Sequence, residues 1–294
     1  MKLGMVGLGK MGANMAARLT EAGHEVVGFD AFSDASQVGS LGELVTALEA
    51  PRVVWLMVPS GDPTQATVDE LAKLLSPDDV VIDGGNSNWR DSVLRGKALA
   101  ESGIGFVDCG TSGGVWGREN GYSLMVGGDD AHVALVEPLF QALRPPEGGY
   151  AHVGPLGTGH FTKMVHNGIE YGLMQSYAEG YELLARSGLD IDVTAALTAW
   201  QHGSVVRSWL LDLLVKALEE SPGLEGIAGV AKDSGEGRWT VLEAIDRGVA
   251  TPAISAALQA RFVSQVDDSV AMKAVAALRN QFGGHGVVAQ PEGT

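Results

Sequence analysis

Four polar side chains able to exchange protons and hold hydroxyl groups fall within GHFTKMVHNGIEYGLMQ, residues 159–175: Lys163, His166, Asn167 and Glu170. Their spacing is i, i+3, i+4 and i+7, which on an α-helix is one stripe. An amine and a carboxyl group on one stripe are the ingredients of acid/base catalysis, provided the surroundings shift their proton affinities. Met164, Val165, Ile169, Leu173 and Met174 fill neighbouring positions, so the helix is expected to be mostly packed and the polar stripe to need partners. Singly, the residues have plainer explanations. A helical Lys/Glu pair is usually a solvated face, and a His on an apolar helix a satisfied core residue.

The elements that must position the stripe are legible upstream. From Lys2 to about Val153, β-rich runs alternate with helix-like segments: KLGMVGLG, NMAARLTEAG, HEVVGFD, RVVWLMV, VDELAKLL, DVVIDGG, LRGKALAESG and IGFVDCG. SLMVGG and YAHVG read as later strands of the same sheet. This alternation predicts an α/β N-terminal Rossmann-type, doubly wound parallel sheet, assigned to residues 1–156. From about Gly157 the β pattern stops, and helices are expected over 163–186, 193–218, 238–245, 252–263 and 269–281. Residues 157–294 are thus an all-α C-terminal domain, with QPEGT as a loose tail.

Gly7, Gly9 and Gly12 in VGLGKMG fit GxGxxG between the first strand and a helix. Gly7, Leu8, Gly9, Lys10, Met11 and Gly12 then form a loop that brings a pyrophosphate to a helix N-terminus; a turn that only packs helix on strand is the alternative. Asp30 ends the second strand about 20 residues further on, where a carboxylate accepts hydrogen bonds from both adenosine ribose hydroxyls. It would repel a 2′-phosphate, and the following AFSDAS has no Lys or Arg to bind one, which predicts NAD over NADP. An ordinary strand-end turn is the other reading of Asp30. Three more Gly-rich loops end strands on the carboxyl edge: MVPSG with Met57, Val58 and Pro59, DGGNS with Asn86, and TSGG with Ser112, Gly113 and Gly114. Any one of them alone is plain turn chemistry; together, beside a dinucleotide fold, they point to binding.

Composition limits the partners. A net charge of −16 with scattered Lys and Arg argues against nucleic acid and anionic membranes. No apolar run is long enough to span a bilayer, MKLGMVGLGK lacks a cleavage site, and the one cysteine, Cys109, has no internal disulfide partner. A cytoplasmic location and no metal are expected.

Taken together, GLGKMG, DGGNS, TSGG, GHFTKMVHNGIEYGLMQ, GEGRWT, ARFVS and RNQFGGH stand in the order found in the β-hydroxyacid dehydrogenases. The chain more closely resembles decarboxylating 6-phosphogluconate dehydrogenases of the short, NAD-preferring type. Gly157, Gly159, Lys163 and Asn167 are shared across the wider superfamily, whereas Glu170 marks the decarboxylating group.

The resemblance implies that Lys163, as a neutral amine with a pKa well below that of an ordinary lysine, takes the C3 hydroxyl proton while hydride leaves to nicotinamide. It implies that Glu170, kept protonated by apolar surroundings, protonates the enediol left after CO2 departs. Two turns, about 10 Å along the axis, let the two reach one small sugar acid. Asn86, Ser112, Gly113, Gly114, His166, Asn167 and Tyr171 complete the substrate pocket, with Asn86 also beside the cofactor. Arg261 matches a phosphate ligand, and Arg279 and His285 match a pair donated by a neighbouring subunit's tail, which implies a homodimer or homotetramer.

Here KDSGEGRWT departs from the long enzymes, which carry a phosphate-binding lysine before GTGKW; Glu236 stands in that stretch, and Lys232 or Arg238 is the available substitute. Three activities follow: NAD-dependent oxidative decarboxylation of 6-phosphogluconate, another β-hydroxyacid dehydrogenase acting on an unphosphorylated sugar acid, or a non-catalytic NAD-binding sensor.

Overall fold

The computed structural model describes residues 1–288; the tail QPEGT lies outside that range. Seven strands form one sheet: β1 (Lys2–Val6), β2 (Glu25–Phe29), β3 (Val53–Leu56), β4 (Val80–Asp83), β5 (Gly105–Ser112), β6 (Ser123–Gly127) and β7 (Tyr150–Gly154). The helices among them are α1 (Lys10–Glu21), α2 (Leu41–Thr46), α3 (Asp62–Leu74), α4 (Trp89–Ala100), α5 (Gly117–Asn120) and α6 (Asp130–Leu143). VVWL and VVID are buried along their whole length, as strands covered on both faces must be.

Strand periodicity divides the side chains between two cores. Leu3, Met5, Trp55, Ile82, Val107 and Cys109 meet Met15 of α1 and Phe140 of α6 on one face. Val6, Val54, Leu56, Val81 and Phe106 meet Leu44, Leu71 and Leu99 of α2, α3 and α4 on the other. Each large apolar side chain so buried contributes about 1.5–3 kcal/mol. Burial also raises the Cys109 thiol to about 12, which keeps it an inert core residue.

The spatial order is β2-β1-β3-β4-β5-β6-β7, so chain order reverses at β1. Ligands bind doubly wound sheets in the crevice at such a reversal, here outside the carboxyl ends of β1 and β3. The sheet departs from the all-parallel expectation: β6 pairs antiparallel with β5, and β7 runs parallel to β6. The connection over 113–122 holds only the four-residue α5 and a 3-10 turn, too little chain for the crossover that a parallel neighbour requires.

The remaining helices are α7 (Thr158–Ala185), α8 (Val193–Trp200), α9 (Trp209–Glu220), α10 (Glu236–Asp246), α11 (Pro252–Val263) and α12 (Val270–Gly283). The chain divides into two compact units, Met1–Ile169 and Glu170 onward, with the division falling on α7. In the second unit, Leu197, Leu211, Val215 and Leu218 form a small core with Tyr177 and Tyr181, and Tyr171 packs with Ala257 and Leu258.

Three helix expectations change. The lysine helix begins at Thr158, before Lys163. The single helix expected over 193–218 is two, because Gly203 adopts a φ of +70° and Ser208 caps α9 by accepting the Leu211 N–H. Ile169 and Leu173, expected to pack, are 52% and 43% exposed in the single chain, because the faces they occupy are not covered by it.

Candidate active site

The cofactor loop is built by contact. Gly7 ends β1 with a φ of +91°, and a Cβ there would lie 2.5 Å from the Met57 carbonyl oxygen. A Cβ on Gly12 would lie 1.9 Å from the Gly7 carbonyl oxygen, so both positions need glycine for close approach. Gly9, the N-cap of α1, differs: an added Cβ meets nothing within 4 Å. The first N–H groups of a helix have no intrahelical partner, and no side chain caps α1, so open space at this N-cap fits a dinucleotide pyrophosphate. Leu8 and Met11 pack on the core beneath it, and Lys10 is exposed. The β3 loop closes the other side, where Met57 N–H donates to Val6 O at 2.7 Å and the Pro59 carbonyl accepts from Thr64 Oγ1 at 2.8 Å. Met57 and Val58 are half-buried and Pro59 is exposed.

Asp30 follows β2 and has the turn role that was its alternative reading: its Oδ1 accepts the Phe32 N–H at 2.9 Å. It also does more. Its Oδ2 accepts the Leu8 N–H at 2.7 Å, tying the end of β2 to the glycine loop. A carboxylate has about four lone-pair sites, so acceptor capacity remains for ribose hydroxyls.

Lys163 is buried on α7 directly over β5, where Gly110 leaves room for it; a Cβ on Gly110 would lie 2.4 Å from Lys163 Cβ. His166 stands one turn on. Its Nδ1 is 3.5 Å from Lys163 Nζ and 3.0 Å from Asn167 Oδ1, and its Nε2 is 3.4 Å from Ser112 Oγ at the end of β5. One imidazole thus links the lysine, the carboxamide and the TSGG loop. With the proton on Nδ1 it donates to Asn167; with the proton on Nε2 it accepts from Lys163. Gly113 and Gly114 continue the loop with φ values of +136° and +55°. Asn86 is exposed on the DGGNS loop, whose Asp83 is buried and accepts from Ser87 Oγ at 2.7 Å and from the Gly85 N–H at 3.1 Å.

What fixes α7 escaped the sequence reading. Asp108, fully buried on β5, accepts the Gly157 N–H at 2.6 Å and the His160 N–H at 2.7 Å, capping the helix that carries Lys163. Burial raises its pKa, opposed by His160 and by the two backbone donors. His160 Nδ1 in turn lies 2.7 Å from Ser92 Oγ of α4. The available signal was an acid inside the apolar strand IGFVDCG, which has to be paired to be tolerated.

In the second unit, Glu170 is half-buried and Tyr171 buried. Tyr171 OH bonds Asp233 Oδ1 at 3.3 Å and Ser234 Oγ at 3.1 Å, and the Arg261 guanidinium stacks 3.4 Å from the Tyr171 ring centroid. Arg261 also donates to the Lys232 carbonyl at 3.0 Å. The acidic Glu236 of GEGRWT turns inward: it is buried and accepts from Ser234 Oγ at 2.7 Å. A cavity of about 350 Å³ is lined by Lys232, Asp233, Arg238, Phe262 and Gln265, with Arg238 Nε 2.9 Å from Asp233 Oδ2. Arg279 on α12 and His285 beyond it are exposed. No helix among the described residues is long and apolar enough to cross a membrane.

A glycine-loop crevice and a lysine helix together define a dinucleotide-dependent oxidoreductase. Residues 2–145 match the model described as the NAD binding domain of 6-phosphogluconate dehydrogenase, and residues 159–289 match its C-terminal domain. A Haloferax volcanii protein named 6-phosphogluconate dehydrogenase, NAD(+)-dependent, decarboxylating, is 43% identical over 98% of this chain and 98% of its own. A Staphylococcus aureus decarboxylating 6-phosphogluconate dehydrogenase is 37% identical over 91% of this chain, which spans 62% of that longer protein. The solved Plasmodium falciparum 6-phosphogluconate dehydrogenase superposes with a TM-score of 0.79 at 26% identity, covering 100% of this chain and 67% of that one. The chain belongs to the 6-phosphogluconate dehydrogenase family.

Proposed function

We propose that the protein oxidises and decarboxylates 6-phosphogluconate to ribulose 5-phosphate and CO2, reducing NAD. The observation that carries this reading is Lys163 buried over Gly110 with His166 at 3.5 Å, on the helix that also presents Glu170. NAD, held by Gly7, Leu8, Gly9, Lys10, Met11, Gly12, Asp30, Met57, Val58, Pro59 and Asn86, supplies the hydride acceptor when bound. Lys163 Nζ takes the C3 hydroxyl proton as the C3–H bond breaks. The ammonium so formed donates to the C3 oxygen while the C1–C2 bond breaks and CO2 leaves, placing the electron pair in an enediol. Glu170 then delivers a proton to the carbon that held the carboxylate, which becomes C1 of the pentulose. His166, Asn167, Ser112, Gly113, Gly114 and Asn86 position the sugar acid by hydrogen bonds.

NAD over NADP is supported by Asp30, by the absence of Lys and Arg in AFSDAS, and by the name of the Haloferax volcanii relative. For the phosphate we assign Tyr171 and Arg261, helped by Lys232 or Arg238, both of which line a cavity where Glu236 is turned away. Arg279 and His285 complete a neighbouring subunit's site, so the working form is a homodimer or homotetramer. Residues 1–156 then act as the NAD-binding domain and 157–294 as the substrate and oligomerisation domain, in the cytoplasm.

A panel of sugar acids with and without phosphate, assayed for NADH and CO2 together, tests the reading. Equal yields of both products from 6-phosphogluconate are expected. NADH without CO2, or a clear preference for an unphosphorylated acid, would favour the other β-hydroxyacid dehydrogenase activity.

A further inference from the structure

Arg95 of α4 is only 3% exposed, an unusual position for a guanidinium, and its hydrogen bonds are divided between two loops. Toward the β3–α3 connection, NH2 donates to the Gly61 carbonyl at 3.2 Å and Nε to Gln65 Oε1 in the first turn of α3 at 3.0 Å, while NH2 also lies 4.0 Å from Asp91 Oδ2 on its own helix. Toward the loop after β4, NH1 lies 3.4 Å from Ser87 Oγ and 3.6 Å from Asp83 Oδ2. Those two loops already touch, since a Cβ on Gly85 would lie 3.1 Å from the Val58 carbonyl oxygen. A buried guanidinium is tolerated only when partners satisfy it, so the network that does so also fixes the loops to one another.

We propose that Arg95 is a positioning residue that holds the cofactor loop 57–61 and the substrate loop 83–87 in a single register. The distance between the reacting C3 and the nicotinamide is then set by a guanidinium that lies beneath both loops. This rests on the reading above, in which Met57, Val58 and Pro59 face the cofactor and Asn86 faces the sugar acid. The planar fork is what the role demands. A lysine ammonium is a point charge that reaches one loop and cannot grip both.

The test uses the full-length protein with 6-phosphogluconate and NAD, reading kcat per NADH-binding site, so that any unfolded fraction is normalised away. Arg95→Met is expected to lower kcat per site at least about tenfold, with KM for the sugar acid and Kd for NADH changing less than about threefold, because misplacement by about 1 Å costs the transition state and not the ground state. Arg95→Lys is expected to recover less than half of that loss. Gln65→Ala covers the case in which the methionine variant fails to fold: Gln65 is exposed, and its loss removes the Arg95 Nε bond together with one exposed bond to Asp69 Oδ1 on the same helix. It should lower kcat per site about two- to threefold with little change in the melting midpoint, a small effect because Arg95 keeps its contacts to Gly61, Ser87 and Asp83. Unchanged kcat per site in Arg95→Met, or in Gln65→Ala where the former does not fold, overturns the proposal while leaving the functional reading intact. A wild-type protein that makes no NADH from 6-phosphogluconate removes both.

Discussion

Asp108 Oδ2 accepts the backbone N–H of His160 at 2.7 Å, so a carboxylate on β5 holds the first turn of the helix that carries Lys163. The lysine's place over the sheet depends on that cap. Asp108→Asn keeps the shape but leaves one of the two backbone N–H groups facing an amide donor. Unfolding free energy should fall by about 1–3 kcal/mol, and kcat should fall with it. Denaturant titration and turnover measurements check both.

The same residue predicts a pH dependence with a definite sign. Burial raises the Asp108 pKa above its unfolded value, so on acidification the folded chain takes up this proton before the unfolded chain does. The Asp108 contribution to stability therefore declines as pH rises from the unfolded carboxyl range through the raised folded value, and is flat above it. Since asparagine does not titrate, the stability of the wild type minus that of Asp108→Asn should show that decline. A difference that grows with pH across the window would contradict burial as the dominant cause.

Gly110→Ala places a methyl group 2.4 Å from Lys163 Cβ and 2.8 Å from the Gly159 carbonyl oxygen. The backbone cannot yield on the Gly159 side, so Lys163 must move. Overpacking should cost about 1–3 kcal/mol of stability, and displacement of the base about 100-fold in kcat. Turnover at saturating substrates together with a thermal melt separates the two effects. Full activity in a folded variant would mean that Lys163 does not need its present position.

Much of this architecture was legible beforehand because it rests on local rules. The seven strands announce themselves as short apolar runs, and GxGxxG marks the first helix start because glycine alone permits the approach of Gly12 to the Gly7 carbonyl. The antiparallel direction of β6 is not carried by the run SLMVGG itself; its signal is the short connection 113–122, too little chain for a crossover. The Lys163 to Glu170 stripe was visible from helical spacing. Asp108, His160, Ser92 and Arg95 were not, since each has a partner 30 to 68 residues away in the chain and no periodicity links such positions.

Asp30→Ala removes the acceptor of the Leu8 N–H and the proposed ribose ligand in one change. KM for NAD should rise about tenfold or more, corresponding to the loss of a charge-assisted hydrogen bond. KM for NADP should change far less, since the same variant removes a repulsive charge. The ratio of the two kcat/KM values measures this, and a wild type that prefers NADP would refute the assignment.

Arg279→Ala and His285→Ala test the donated tail. Each should raise KM for 6-phosphogluconate at least about tenfold while leaving KM for gluconate nearly unchanged, because the proposed contacts of the Arg279 guanidinium and the His285 imidazole are to the phosphate alone. Equal effects on both acids would detach these residues from the phosphate. In mixtures of Arg279→Ala with a Lys163→Met partner, hybrid oligomers should regain activity, the mark of a shared site.

In the proposed reaction the Lys163 amine removes the substrate hydroxyl proton, and the decisive assay is single-turnover NADH formation by Lys163→Met with saturating NAD and 6-phosphogluconate. The rate constant should be lower by about 10²–10⁴-fold, as for loss of a general base, with NAD affinity retained. NADH appearing in that variant at the wild-type rate would contradict it.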